Sequence, residues 1–219
     1  MDSHGQVAGT VKMTWTGSPA LAWRQSYLRG DATSLNRNLR TSMEHLLPNG
    51  MDVKIGTILN LDDYEQPLAV TYQIKGPLAS ATGNRMLLPS DIFVAGETAA
   101  FPREKRESVI YFDYPYVLQD AVRVKFPQTF AVESAPAMEK FPYAQDAFYA
   151  ISSKTTPDSL IVQRNVELGS IIFPVAEYSA LRSFYNKLET KDQEPSVLKL
   201  TAPAADAAPT PAPAHTGGQ

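Results

Sequence analysis

The sequence predicts an α+β fold, in which an N-terminal strand–helix–helix–hairpin unit is followed by an antiparallel β-sandwich with a C-terminal helix. Three observations carry this reading. An alternating strand pattern stands ahead of two helical stripes. Most of the chain beyond Gly76 then alternates with period two. A last apolar stripe of helical period follows, at Tyr178, Leu181, Tyr185 and Leu188.

Taken in order, Val7, Val11, Met13 and Trp15 share one parity and form a strand with one buried face. Gly17, Ser18 and Pro19 stop it and open a helix, with Ser18 as the cap and Pro19 at the first helical position. Within that helix Trp23 and Tyr27 stand four apart, on one side. Gly30 ends it, and a second helix starts from a cap at Asp31 or Thr33. Leu35, Leu39, Met43 and Leu46 form its stripe, which Pro48, Asn49 and Gly50 close. Two strands complete the unit. Val53, Ile55, Thr57 and Leu59 share one parity in the first, and Leu68, Val70, Tyr72 and Ile74 in the second, with a polar loop between them.

Gly76 and Pro77 mark a boundary, and the stretch up to Gly83 reads as a connector. The segment from Phe101 to Pro127 reads as two strands joined by an aromatic turn. Val109, Tyr111 and Asp113 alternate with Ile110 and Phe112, so the first strand carries apolar groups on both faces and is predicted to be central. Val122, Val124 and Phe126 alternate with Ala121, Arg123 and Lys125, giving one buried and one wet face. Phe130 and Val132, then Phe148 to Ile151, are further short strands. Leu160, Val162, Val166 and Leu168 make the clearest alternation in the chain. Pro174 suits the first turn of the closing helix, and Val197, Leu198 and Leu200 add a final strand. The expected division is an α+β unit over 1–76, a sandwich with terminal helix over 77–200, and a disordered Pro/Ala-rich tail over 201–219.

Composition removes several function classes. The 219 residues are 43% hydrophobic and 20% charged, with a formal net charge of -3. That balance argues against nucleic acid, which demands concentrated Lys and Arg. The densest basic patch, Arg103 to Arg106, is interrupted by Glu104 and followed by Glu107, as in a solvated surface. Cysteine is absent, which excludes disulfides, thiolate nucleophiles and thiolate metal sites. No run of about 18 apolar residues is present to cross a membrane as a helix. The amino end, MDSHGQ, lacks the basic start and apolar core of a secretory signal.

Candidate chemistry is sparse. His4 and His215 lie in terminal segments and His45 stands alone on a helix, so no histidine has a nucleophile and an orienting partner in view. Asp62, Asp63 and Glu65 cluster in the hairpin loop without the twelve-position calcium pattern, and read as turn residues. Asp113, Asp120 and Glu133 are the acids from which a hydrolytic pair would be assembled, at a separation the sequence does not fix. Phosphate-binding glycine loops and the G-x-S-x-G elbow are missing. No cofactor or metal is expected. What remains is an aromatic group, Tyr111, Phe112, Tyr114 and Tyr116 with Phe141, Tyr143, Phe148 and Tyr149. Either it forms a stacking platform, with Tyr111, Tyr114 and Tyr116 as binding residues, or it is core.

The run Phe101-Pro102, Arg106, Ile110, Phe112, Tyr116, Asp120, Val122, Val124, Phe126-Pro127 and Val132-Glu133 resembles the C-terminal, post-catalytic region of bacterial multidomain transglutaminase-like proteins, a domain family of unknown function. Leu160, Arg164, Tyr178, Leu181, Phe184-Tyr185 and Asp192 fit the same region. Trp15, Gly17, Ala22 and Leu46-Leu47-Pro48 are similar to the segment that follows the papain-like core in those proteins. The resemblance implies that any Cys-His-Asp triad belongs to a domain upstream, so no catalytic residue carries over to this chain. It also implies export to the periplasm or beyond for a fragment of a longer precursor; if Met1 is the true start, the cytoplasm is implied instead.

The expected function is that of a non-catalytic accessory module, not an enzyme. It docks to a transglutaminase-like catalytic domain, in cis or in trans, or to peptide or cell-envelope material. The alternatives are an independent carbohydrate- or peptide-binding sandwich and a carboxylate-based hydrolase.

Overall fold

A computed structural model describes residues 1–94, 98–144 and 147–201. The expected tail beyond Thr201 lies outside the described residues.

Strand β1 (Gln6–Trp15) leads into helices α1 (Gly17–Arg29) and α2 (Ala32–Leu46), and then into the hairpin of β2 (Asp52–Leu59) and β3 (Leu68–Pro77). The three strands form one antiparallel sheet in the order β1-β3-β2. Leu35, Leu39 and Met43 of α2 pack on its inner face beside Val53, Val70 and Tyr72, as the stripe requires. Asp31 caps α2, its carboxylate accepting the Ser34 amide at 2.6 Å. At α1 the start differs from expectation. Thr16 takes the cap position without a side-chain bond and Gly17, at φ 57°, opens the helix, so Ser18 and Pro19 both lie inside the first turn.

The parity expected for β2 holds only to Ile55. The register shifts between Ile55 and Ile58, and Ile58 rather than Thr57 packs toward the core while Leu59 is exposed. Gly56 sits in this bulge, where a Cβ would stand 3.1 Å from the Thr71 carbonyl oxygen.

The stretch read as a connector carries β4 (Ser80–Thr82), which turns through Gly83 at φ 61° into β5 (Arg85–Pro89). Next come β6 (Ile110–Tyr111), β7 (Tyr116–Lys125), β8 (Phe130–Ser134), β9 (Glu139–Tyr143), β10 (Ala147–Thr156), β11 (Ser159–Leu168) and β12 (Ile172–Phe173). A 3-10 turn over Val175–Glu177 enters α3 (Tyr178–Asp192), and β13 (Pro195–Leu200) closes the described chain. Two four-stranded antiparallel sheets, β7-β11-β10-β9 and β4-β5-β13-β8, share one apolar core with α3.

The expected central strand around Tyr111 is not central. β6 is two residues long and pairs with the equally short β12, with Val109 and Tyr111 exposed on it. Alternating apolar residues there cover the aromatic layer beneath α3 instead of entering a sheet. Phe112 packs edge-on to Phe101 and Phe173 and stacks on Tyr185. Phe141 stacks on Tyr149 at 4.9 Å. Phe141 and Tyr149 of the aromatic group are therefore core, with Phe112, Tyr116 and Tyr143 partly buried against it, the packing that large rings favour.

Candidate site: a cleft between two open strand edges

β1 is an edge of the first sheet and β7 an edge of the second. One open cleft of about 1680 Å³ is lined by β1 from Val7 to Trp15 and by the whole of β7. Hydrogen-bond phase decides what each edge offers. The Phe126 amide donates to the Asp158 carbonyl at 2.9 Å, immediately beyond the Lys125–Ser159 pair. Even-numbered residues of β7 therefore exchange bonds with β11, and the amides and carbonyls of Val117, Gln119, Ala121 and Arg123 point away from the sheet. The same argument applies to β1. The Leu78 amide donates to the Gly5 carbonyl at 2.9 Å, so Ala8, Thr10, Lys12 and Thr14 present outward backbone groups. None of these eight residues has a backbone partner on that side among the described residues. The ends of the edges are occupied: the Met1 amino group donates to the Lys125 carbonyl at 2.5 Å, and the Asp2 amide to that of Gln6 at 2.9 Å.

Apolar surface accompanies the open edge of β7. Val117 is 60% and Leu118 48% exposed, and both line the cleft with Tyr114 and Tyr116. Of the aromatic binding candidates, Tyr114 and Tyr116 are thus at the cleft, and the Tyr116 hydroxyl is hydrogen bonded to that of Tyr185 at 2.9 Å. Tyr111 is exposed on β6, away from the lining residues.

Beside the middle of β7 lies an ionic cluster. Arg164 sits on the buried parity of β11 among Leu160, Val162, Val166 and Leu168, and is 6% exposed. Its guanidinium binds Asp192 of α3 through Nε and Nη2 at 2.8 Å each, and Asp120, directly opposite on β7, through Nη1 at 2.9 Å. The Tyr149 hydroxyl donates to Asp192 at 2.7 Å. Asp91 completes the cluster. It is 1% exposed and its Oδ1 accepts the Phe93 amide at 2.9 Å, whereas its Oδ2 is buried with no hydrogen-bond partner among the described residues. Burial, and then the neighbouring Asp120 charge, push the Asp91 carboxyl up to about 6.

The segment around Asp91 joins the two cores. Ser90 is bonded to the Glu194 carbonyl and to Ser196 of β13, while Ile92 is buried in the core beneath α2. The sequence reading passed over Asp91 altogether. Arg164 did carry a signal, being a lone cation on the apolar parity of the most regular strand.

Other candidates fall elsewhere. Asp120 lies on β7, while Glu133 lies on β8 in the other sheet, held by Arg85 through both carboxylate oxygens at 2.5 and 2.6 Å. Those acids are not brought together. Asp62, Asp63 and Glu65 belong to a loop wrapped around Arg24 of α1, whose guanidinium donates to the carbonyls of Asn60, Leu61, Asp63 and Gln66. The Asp63 carboxylate accepts the Glu65 and Gln66 amides, the local turn bonding expected of Asp. Among the described residues no group of three or more His, Cys, Asp or Glu is arranged to hold a metal ion. Among the described residues no helix is long and apolar enough to cross a membrane.

The family model described as "Domain of Unknown Function with solved-structure structure (DUF3858)" matches residues 84–198, more than half of the chain. The chain belongs to the DUF3858 family. The DUF3858 match runs from the residue before β5 into β13, so it contains Asp91, Asp120, Arg164 and Asp192 together with the whole of β7, and leaves β1 outside. No curated protein sequence matches the chain. A solved structure from Parabacteroides distasonis, a "putative protease", is similar at 12% identity and a TM-score of 0.40, over 71% of this chain and 24% of that one. This chain thus spans about a quarter of that protein's length.

Proposed function

We propose that the chain is a non-catalytic accessory module that docks an extended polypeptide segment in the cleft between the edges of β1 and β7. The partner in this reading is a transglutaminase-like catalytic domain, in cis or in trans, as the resemblance around Ile110 to Glu133 and Leu160 to Asp192 suggests. The observation that carries the reading is the open edge of β7. Within this ten-residue strand Val117, Gln119, Ala121 and Arg123 turn their amides and carbonyls outward, and Val117 and Leu118 are exposed beside them. Proteins blunt edges of this kind unless something pairs with them, and strand addition is a recurrent way for a sheet to bind a peptide. A site that works by shape and backbone pairing needs no nucleophile or metal.

The experiment mixes the chain with a separately expressed transglutaminase-like catalytic domain and follows association by titration calorimetry. Association is expected, and Ala121→Pro should weaken it at least tenfold. That substitution removes an outward amide while leaving the β7–β11 bonds in place. Absence of association, or unchanged binding by Ala121→Pro, contradicts the reading, as does peptide or glycoside hydrolysis by the purified chain that is lost in Asp120→Asn.

A further inference from the structure

The ionic cluster suggests what kind of segment the edge accepts. Among the described residues Arg164 is the cation that faces three carboxylates, those of Asp91, Asp120 and Asp192, and these are the charges that act most strongly on Asp91. Buried acids are ordinarily paired in full, so the Asp91 oxygen with no described partner marks a deficit of positive charge or of donors. The cluster reaches the cleft through Asp120 and Arg164. Asp120 keeps 23% of its side chain exposed and lines the cleft. Lys12, Arg123 and Lys125 line the same cleft.

We propose that the docked segment pairs as a strand with the open edge of β7 and sets a lysine or arginine side chain against Asp120, supplying the positive charge that the aspartate cluster lacks. The proposal rests on the docking reading above and adds the chemistry of the partner. Register follows from charge. A cation opposite Asp120 meets three carboxylates against one guanidinium, an excess of negative charge that favours this register. Docking also changes the cluster itself, because a cation beside Asp120 lowers the penalty on ionising Asp91. The charged and titratable groups facing Asp91 are Asp120 of β7, Arg164 of β11, Tyr149 of β10 and Asp192 of α3. Nearly neutral solution therefore favours the bound state over mildly acidic solution.

An unbiased array of linear decapeptides, probed with the intact chain, tests this without knowledge of the natural partner. The expected result is capture of peptides enriched in Lys or Arg at one position, with replacement of that residue by Gln weakening binding about tenfold. Asp120→Asn, which keeps an oxygen for Arg164, should erase the preference. If Asp120→Asn does not fold, the wild-type chain supplies the same test through salt, since the preference should shrink between about 0.05 and 0.5 M ionic strength. Capture with no basic preference, or a preference indifferent to both Asp120→Asn and salt, overturns the charge proposal and leaves edge docking standing. Capture of no peptide by the wild-type chain overturns both.

Discussion

Arg164 and Asp192 are 28 positions apart in sequence and meet as a two-pronged ion pair, Nε and Nη2 of the guanidinium each 2.8 Å from a carboxylate oxygen. Asp192 is the last residue of α3, where the helix dipole disfavours a negative charge. The pair therefore fastens that helix end to the middle of β11. Removing the arginine leaves Asp120 and Asp192 without their cation in a water-poor setting. Arg164→Met should destabilise by about 3–5 kcal/mol, the cost of breaking a buried pair from one side. Urea unfolding measures it, and a loss under about 1 kcal/mol contradicts the role given to the pair.

Asp91 supplies a pH signature. Its folded carboxyl titrates near 6, above the ordinary aspartate value of 3.8, so the folded chain holds a proton that the unfolded chain has released. Between about pH 4 and 6 the folded state binds more protons, and stability falls as pH rises through that window. Asp91→Asn cannot ionise. Relative to the wild type it should gain about 1–3 kcal/mol from pH 4 to pH 7, read from urea midpoints across the range. A constant difference between the two proteins contradicts this placement of the charge.

Arg24 organises the β2–β3 loop by donating to four backbone carbonyls, with the Tyr64 ring 5.0 Å from its guanidinium carbon. Arg24→Ala strands those carbonyls and should cost about 2–4 kcal/mol, with faster proteolysis between Asn60 and Pro67. Arg24→Lys keeps the charge but lacks the five-donor fork, so it should restore little. Full restoration by Lys would show that charge alone holds the loop.

Gly76 lies where β3 passes the start of β2, at φ 153°, and a Cβ there would stand 2.7 Å from the Gly50 carbonyl oxygen and 2.9 Å from the Met51 Cα. Both neighbours are backbone and have no easy way to yield. Gly76→Ala should lower stability by about 1–3 kcal/mol. Thermal unfolding checks this, and an unchanged midpoint contradicts it.

Periodicity made the helices and the longer strands legible, because α2, α3, β3 and β11 each bury one clean stripe or parity. It misled where apolar alternation served a loop. Ile110 and Phe112 feed an aromatic layer under α3, and sequence spacing does not distinguish that use from a strand in a sheet. The hairpin of β4 and β5 was hidden because β4 is three residues long and fully exposed. The cleft was illegible for a different reason. Which strand ends a sheet is a matter of topology, and the alternation along β7 does not reveal that it pairs on one side only, with β11. Asp91 and Arg164 come from segments far apart in the chain, so neither half of the cluster announces the other.

Amide hydrogen exchange along β7 tests the central claim most directly. In the free chain the amides of Val117, Gln119, Ala121 and Arg123 should exchange fast while those of Leu118, Asp120, Val122 and Val124 are protected. With a docked partner segment, the fast set should slow by at least tenfold. Protection of the odd-numbered amides in the free chain, or fast exchange that persists in the complex, would contradict the edge as the docking site.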